Sequence, residues 1–175
     1  MTTTATADRT VRAWAVLDTV ADPEVPVLSV CDLGMVRAVD LAGDGALDIV
    51  LTPTYSGCPA TEMIERSVID ALDAAGLGPA RVTLRRAPAW TTDWISADGR
   101  RKLREYGIAP PAHAAACHAA SAPIRVVRRA ASPAPACPHC GSADTEQISA
   151  FGSTACKALW RCRACSEPFD YFKPI

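Results

Sequence analysis

Residues 36–59 read VRAVDLAGDGALDIVLTPTYSGCP, and they decide the fold of the first half of the chain. Two strand-like runs, Val36–Leu41 and Ala46–Thr52, flank the sequence Ala-Gly-Asp-Gly. An Asp-Gly pair reaches the positive φ that a tight hairpin turn demands, and Leu47, Ile49 and Leu51 recur at every second position, on one face of a strand. This predicts a β-hairpin. Past Cys58, the residues Ile64, Val68, Ala71, Leu72 and Ala75 share one helical face, and Gly76 can end the helix. Pro59 suits the first helical position, where the missing N–H has no partner to lose. A third strand is expected over Arg81–Arg86, with Val82 and Leu84 inward.

Upstream, Trp14, Leu17 and Val20 follow a helical spacing after Asp8, a residue suited to the N-cap. The stretch DPEVPVLSVCDLG (22–34) carries two prolines and excludes a regular helix. Downstream, PAWTTDWIS (88–96) is rich in aromatics, and a short helix is expected from Asp98 to Tyr106, with Arg100, Arg101, Lys102 and Arg104 on its solvated face. The expected architecture is α/β, a small mixed sheet covered by helices on one face.

The composition breaks near Pro110. Residues 1–110 form the first domain in this reading, 111–133 an alanine- and proline-rich linker, and 134–175 a smaller second domain. The last of these carries C-P-H-C-G, 20 residues, then C-R-A-C. Two residues between cysteines let one tight turn aim both sulfurs at one ion, and Gly141 admits the positive φ of such a knuckle. Cys137, Cys140, Cys162 and Cys165 therefore read as a four-thiolate zinc ribbon, although iron is chemically possible in the same set. So small a unit needs metal to complete its stability. Phe151, Trp160, Phe169, Tyr171 and Phe172 are the candidates to cover it.

The chain has 175 residues, eight cysteines and a net charge of −1. Such a charge gives no field to hold nucleic acid, and no apolar run is long enough for a membrane span. The N-terminus lacks the charged and apolar regions of a secretory signal, so the chain reads as cytoplasmic, where paired C-x-x-C motifs favour metal over disulfide.

Cys58 precedes a helix, where backbone N–H groups favour thiolate. The residues alone leave it open between a nucleophile or transient metal ligand and a small buried residue in a turn. DPEVP (22–26), DLGMV (32–36) and LTPTYSGCP (51–59) resemble the motifs of the iron–sulfur cluster assembly family that includes the SufT-type proteins. PAWTTDWIS, CPHCGS, FGSTACKALWRC (151–162) and EPFDYFK (167–173) extend the likeness, over nearly the whole chain, to the PaaD (PaaJ) branch of that family. That branch is encoded with the multicomponent oxygenase that epoxidises phenylacetyl-CoA.

The resemblance implies a SufT-like assembly fold for the first domain and a cluster-handling role for Cys58, with Asp22, Glu24, Asp32 and Thr54 as its supporting motif. It implies a non-catalytic maturation or maintenance factor for the iron–sulfur or di-iron centres of the epoxidase, in aerobic phenylacetate degradation. A transient iron–sulfur cluster would then accompany structural zinc. The partners would be the di-iron hydroxylase or the iron–sulfur reductase, with no nucleic acid and no membrane; a homodimer is left open. A nucleic-acid-binding ribbon and a rubredoxin-like electron carrier are the alternatives.

Most of the other residues keep more than one reading. Cys156 belongs to the branch's pattern and is a second reactive thiol, an alternative ligand or a buried ribbon residue. Asp22, Glu24 and Asp32 ligate a metal, position Cys58 or cap turns. Trp90 and Trp94 form a docking surface or core. Cys31 reads as core, His139 as solvent-facing, and Cys117 with His113 and His118 as a poor ligand set in flexible chain.

Overall fold

The computed structural model describes residues 2–55, 60–112 and 134–175. They form two compact units, Met1–Lys102 and Leu103–Ile175, which divide within a helix.

The first unit opens with α1 (Thr2–Leu17). It starts well before Asp8, so that residue is helix interior and not the N-cap. The helix buries Ala13 and Leu17, whereas Trp14 is exposed and Val20 lies beyond its end. After an irregular stretch come β1 (Val36–Leu41), β2 (Leu47–Leu51), α2 (Thr61–Ala74), β3 (Ala80–Leu84), a 3₁₀ turn (Thr92–Trp94) and α3 (Ala97–Glu105). β1 and β2 form the expected antiparallel hairpin; β2 and β3 are parallel, with α2 as the crossover between them. The sheet order is β1-β2-β3.

α1 and α2 pack on one another, α1 packs on β1, and α2 packs on β3. Leu47, Ile49 and Leu51 of the central strand are buried, as are Ile64, Val68 and Leu72 of α2. Each such side chain contributes about 1.5–3 kcal/mol when fully removed from water. α2 begins at Thr61, with Ala60 in the capping position and no side-chain cap. Pro59, expected at the first helical position, lies outside the described residues. At the far end of the hairpin, Arg9 of α1 donates to the carbonyls of Gly45, Leu77 and Gly78, and Arg81 meets Asp44 and Asp48.

The second unit is a sheet of β4 (Ile108–Ala109), β5 (Thr145–Ser149), β6 (Lys157–Cys162) and β7 (Pro168–Phe172), in the order β4-β7-β6-β5. The β5–β6 and β6–β7 pairs are antiparallel. β4 pairs parallel with β7, Ile108 against Asp170 and Ala109 against Tyr171.

Candidate functional site

Among the described residues, two places hold chemistry-bearing side chains: the cysteine cluster of the second unit and, in the first, the end of the sheet where β2 ends.

The sulfurs of Cys137, Cys140, Cys162 and Cys165 all lie within 4.8 Å of one another. Cys137 and Cys165 Sγ are 3.7 Å apart, and Cys140 and Cys162 Sγ 3.5 Å. A tetrahedral ion with bonds of about 2.3 Å to sulfur separates its ligands by about 3.8 Å, so the donor set fits a four-thiolate metal site.

Each knuckle is built the same way. The residue after the second cysteine takes the left-handed conformation, Gly141 at φ +75° and Ser166 at φ +67°. The N–H of Cys137 donates to Ser142 O, and that of Cys162 to Glu167 O, both at 2.9 Å. The Cys162 thiol falls to about 7, chiefly because the N–H of Cys165 points at its sulfur. The Glu167 N–H favours thiolate at Cys165, but burial and the three neighbouring thiols push it up to about 12. Four thiolates so close together need a cation between them.

The cluster sits on one face of the sheet. Ala109, Cys137, Cys162, Phe169 and Tyr171 form a core there, with Trp160 and Cys165 against it. Trp160 meets Tyr171 edge-on, ring centroids 6.0 Å apart. Phe172 is buried as well, whereas Phe151, expected as cover, is exposed under the Lys173 ammonium. Cys156 is buried, 3.0 Å from Thr154 Oγ1. It stands just ahead of β6 and Cys162 ends that strand, so about 20 Å of extended chain separates the two. Cys156 is therefore no alternative ligand for the four-cysteine site. His139 is exposed, as expected, with its ring beside Gly107.

In the first unit, Asp22 accepts from backbone, and Asp32 from one backbone and two side-chain donors. Asp22 Oδ1 accepts from the N–H groups of Glu24 (2.9 Å) and Val25 (2.8 Å), the turn-capping geometry of an aspartate before proline. Asp32 is buried; its Oδ2 accepts from the Ser29 N–H (3.0 Å) and the Lys102 ammonium (2.7 Å), and its Oδ1 from the Ser96 hydroxyl (3.1 Å). Burial works to raise the Asp32 carboxyl, but the Lys102 ammonium and the Ser29 and Ser96 donors outweigh it and hold it below the ordinary range. Lys102, raised chiefly by Asp32, is thus a paired residue and not part of a solvated face.

The turn Asp32-Leu33-Gly34 receives the aromatic segment. The Trp90 indole N–H donates to Leu33 O (2.8 Å), and the Ser96 N–H donates to Asp32 O (2.8 Å). Gly34 takes φ +65°, and a Cβ there would lie 2.5 Å from Trp94 O. Trp90, 3% exposed, is core and no docking surface. The Trp94 ring lies under the Arg37 guanidinium, 3.6 Å from the centroid.

The three motifs meet at the carboxyl end of β2. The Thr52 N–H donates to Met35 O (2.8 Å), which joins the third motif to the second. Val30 N–H donates to Val20 O and Asp22 N–H to Leu28 O, which closes the first motif into a loop, and Met35 N–H donates to Val30 O, which ties that loop to the second. Thr52 Oγ1 is buried without a hydrogen-bond partner, and Thr54 beyond it is half-buried. Cys58 lies outside the described residues, as do His113, Cys117 and His118. Tyr55 and Ala60 mark the two ends of the connection that carries Cys58. Cys31 is half-buried and its thiol is pushed up to about 12, first by burial and then by Asp18 and Asp32. It stands at the edge of the core and not within it, and a thiol so raised is a poor nucleophile.

Gly34, Ser96 and Lys102 escaped the sequence reading as partners of the motif. Only the repeated aromatic spacing in PAWTTDWIS hinted that this segment is fixed in place. Among the described residues, no helix is long and apolar enough to cross a membrane.

Residues 121–173 match the family described as the PaaD zinc beta ribbon domain, and residues 11–84 that described as iron–sulfur cluster assembly protein. The chain is 53% identical over 162 residues to a protein of Escherichia coli (strain K12) named as a subunit of 1,2-phenylacetyl-CoA epoxidase, covering 93% of this chain and 91% of that one. It is 34% identical over 88 residues to an Fe-S protein maturation auxiliary factor of Porphyromonas gingivalis, covering 50% of this chain and 83% of that one. A crystal structure of a domain of unknown function, DUF59, from Bacillus anthracis shares the fold, with TM-score 0.53 and 24% identity, over 57% of this chain and 95% of that chain.

Proposed function

Because the chain belongs to the PaaD family of phenylacetyl-CoA epoxidase subunits, with an iron–sulfur cluster assembly domain and a zinc ribbon, we propose that it is a non-catalytic maturation or maintenance factor for the metal centres of that epoxidase. The observation that carries this reading is the convergence of three motifs at one end of the parallel pair β2–β3, from which the connection bearing Cys58 departs. Ligand chemistry in open parallel sheets gathers at the carboxyl ends of strands.

In this role Cys58 is the thiolate that takes hold of an iron–sulfur cluster in transit. Asp22, Glu24 and Asp32 hold the supporting turns, and Thr54 stands where the connection leaves the sheet. The four-cysteine site holds zinc and keeps the ribbon folded, with no open coordination position for chemistry. The client is the iron–sulfur reductase or the di-iron hydroxylase of the oxygenase, and the complex works in the cytoplasm. Nucleic acid is disfavoured by the net charge of −1.

The test is anaerobic purification with metal and acid-labile sulfide analysis of the wild type and Cys58→Ala, together with the iron content of each oxygenase component matured beside them. The reading expects sulfide lost and zinc retained in the variant, and a client poor in iron. Normally loaded components beside Cys58→Ala would overturn it. Iron in place of zinc at the four cysteines, with a visible thiolate-to-iron absorption, would instead favour the rubredoxin-like alternative.

A further inference from the structure

The second unit holds a cavity that neither the metal site nor the motifs account for. Its volume is about 290 Å³, and all of its lining belongs to Leu103–Ile175. The walls are small and apolar: Pro110 and Ala112 follow β4, and Ala134, Pro135 and Ala136 precede Cys137. The Thr145 hydroxyl donates to Pro135 O (2.8 Å), which ties this wall to β5. Two polar side chains complete the lining, Arg104 from the last turn of α3 and Tyr171 from β7. No lining residue is acidic.

Tyr171 is 5% exposed, and its hydroxyl is buried with no hydrogen-bond partner among the described residues. A buried phenol usually finds a partner, because an unpaired O–H forfeits the bond it made to water. Burial raises the phenol, and the Ala112 N–H opposes this without reaching full hydrogen-bond geometry. An N–H engages only the lone pairs of the oxygen, so the O–H is left without an acceptor. Arg104 is exposed and meets no carboxylate among the described residues. The lining thus offers one positive charge, a guanidinium fork and a free O–H, with no acidic side chain to match them.

We infer that this cavity binds the carboxylate of a small apolar acid, with the Arg104 guanidinium donating to its two oxygens and the Tyr171 O–H to one of them. A planar guanidinium matches a carboxylate bidentately. One arginine neutralises a monoanion, whereas a phosphate dianion would keep a net negative charge against apolar walls. Small-ligand pockets have this composition, apolar walls with a few convergent polar groups. The site belongs to the second unit and the Cys58 connection to the first, so the inference goes beyond the maturation role and does not depend on it.

The test is an NMR titration of the full, metal-loaded chain with sodium butyrate at constant ionic strength, and separately with butyramide and with inorganic phosphate. The expected result is saturable movement of the Arg104 Nε–H and Tyr171 ring signals with butyrate. Arg161 and Arg163, held by Glu146 and outside the lining, should stay still. Tyr171→Phe and Arg104→Gln should each weaken butyrate binding roughly tenfold, the worth of one hydrogen bond to a charged group. Tyr171→Phe should unfold at the wild-type temperature or above, since its hydroxyl has no partner to lose. A loss of thermal stability in that variant would assign the hydroxyl to the fold and overturn the inference. So would no movement at all, shifts that do not saturate, equal movement at Arg161 and Arg163, or butyramide or phosphate bound as tightly as butyrate. None of these outcomes bears on cluster content in Cys58→Ala, so the two readings fail separately.

Discussion

Asp32 and Lys102, 70 positions apart in the sequence, meet at 2.7 Å and fasten α3 to the turn that carries the second motif. Lys102→Met leaves a buried carboxylate held only by Ser29 and Ser96. We expect a loss of about 2 kcal/mol in urea unfolding, since one partner of a largely buried pair is stranded.

The pair also sets a pH window. Asp32 is depressed from an ordinary 3.8, so its contribution is present above that value and lost as pH falls through the lower folded-state value. Lys102 is raised from 10.5, so its contribution is present below that value and lost as pH climbs through the higher folded-state one. Lys102→Met should move the acid limb of a pH–stability curve to higher pH, and circular dichroism across an acid titration reads this directly.

Gly34 and Gly45 make a matched comparison, at φ +65° and +85°. A Cβ at Gly45 meets nothing within 4 Å, while one at Gly34 lies 2.5 Å from Trp94 O. Gly45→Ala should cost about 1 kcal/mol of backbone strain. Gly34→Ala should cost about 3 kcal/mol, since strain adds to a collision with backbone that cannot rotate away. Thermal unfolding of the two variants checks the difference.

Removing the metal should unfold the second unit and spare the first. A strong chelator, or Cys140→Ser, should abolish the slow amide exchange of β6 and β7 and expose Trp160 to quenchers. Protection at Ile49 and Leu51 in the first unit should persist.

Thiol labelling should follow environment more than exposure. Cys31 is half-buried, yet at pH 8 a thiol pushed up to about 12 holds roughly a thousandfold less thiolate than an ordinary one. In the metal-loaded chain, Cys31 and the buried Cys156 should both react slowly with iodoacetamide, as peptide mass mapping can measure.

Local signals carried most of the fold. The Asp-Gly turn and the alternation of Leu47, Ile49 and Leu51 announced the hairpin, and Ile64, Val68 and Leu72 announced α2. The four cysteines were legible because metal ligation dictates their spacing. What escaped is long-range. Nothing near Lys102 says that its partner is Asp32, and the two-residue β4 is too short to show a period. The start of α1 was misplaced because Asp8 resembles a cap, though the preceding threonines and alanines continue the helix. Ser166 gives no hint of its left-handed backbone, whereas Gly141 does.

The spacing of the four sulfurs also decides how the ribbon would fail. Two of its close pairs, Cys137 with Cys165 at 3.7 Å and Cys140 with Cys162 at 3.5 Å, run across the two knuckles. Should the ion be lost where peroxide is present, two thiolates of such a pair can give up two electrons and join. The resulting crosslink would bridge the two knuckles and keep the outline of the ribbon while leaving two of the four ligands, too few to reload the ion. Oxidative damage here would yield a locked, metal-free tail that still resembles the native one.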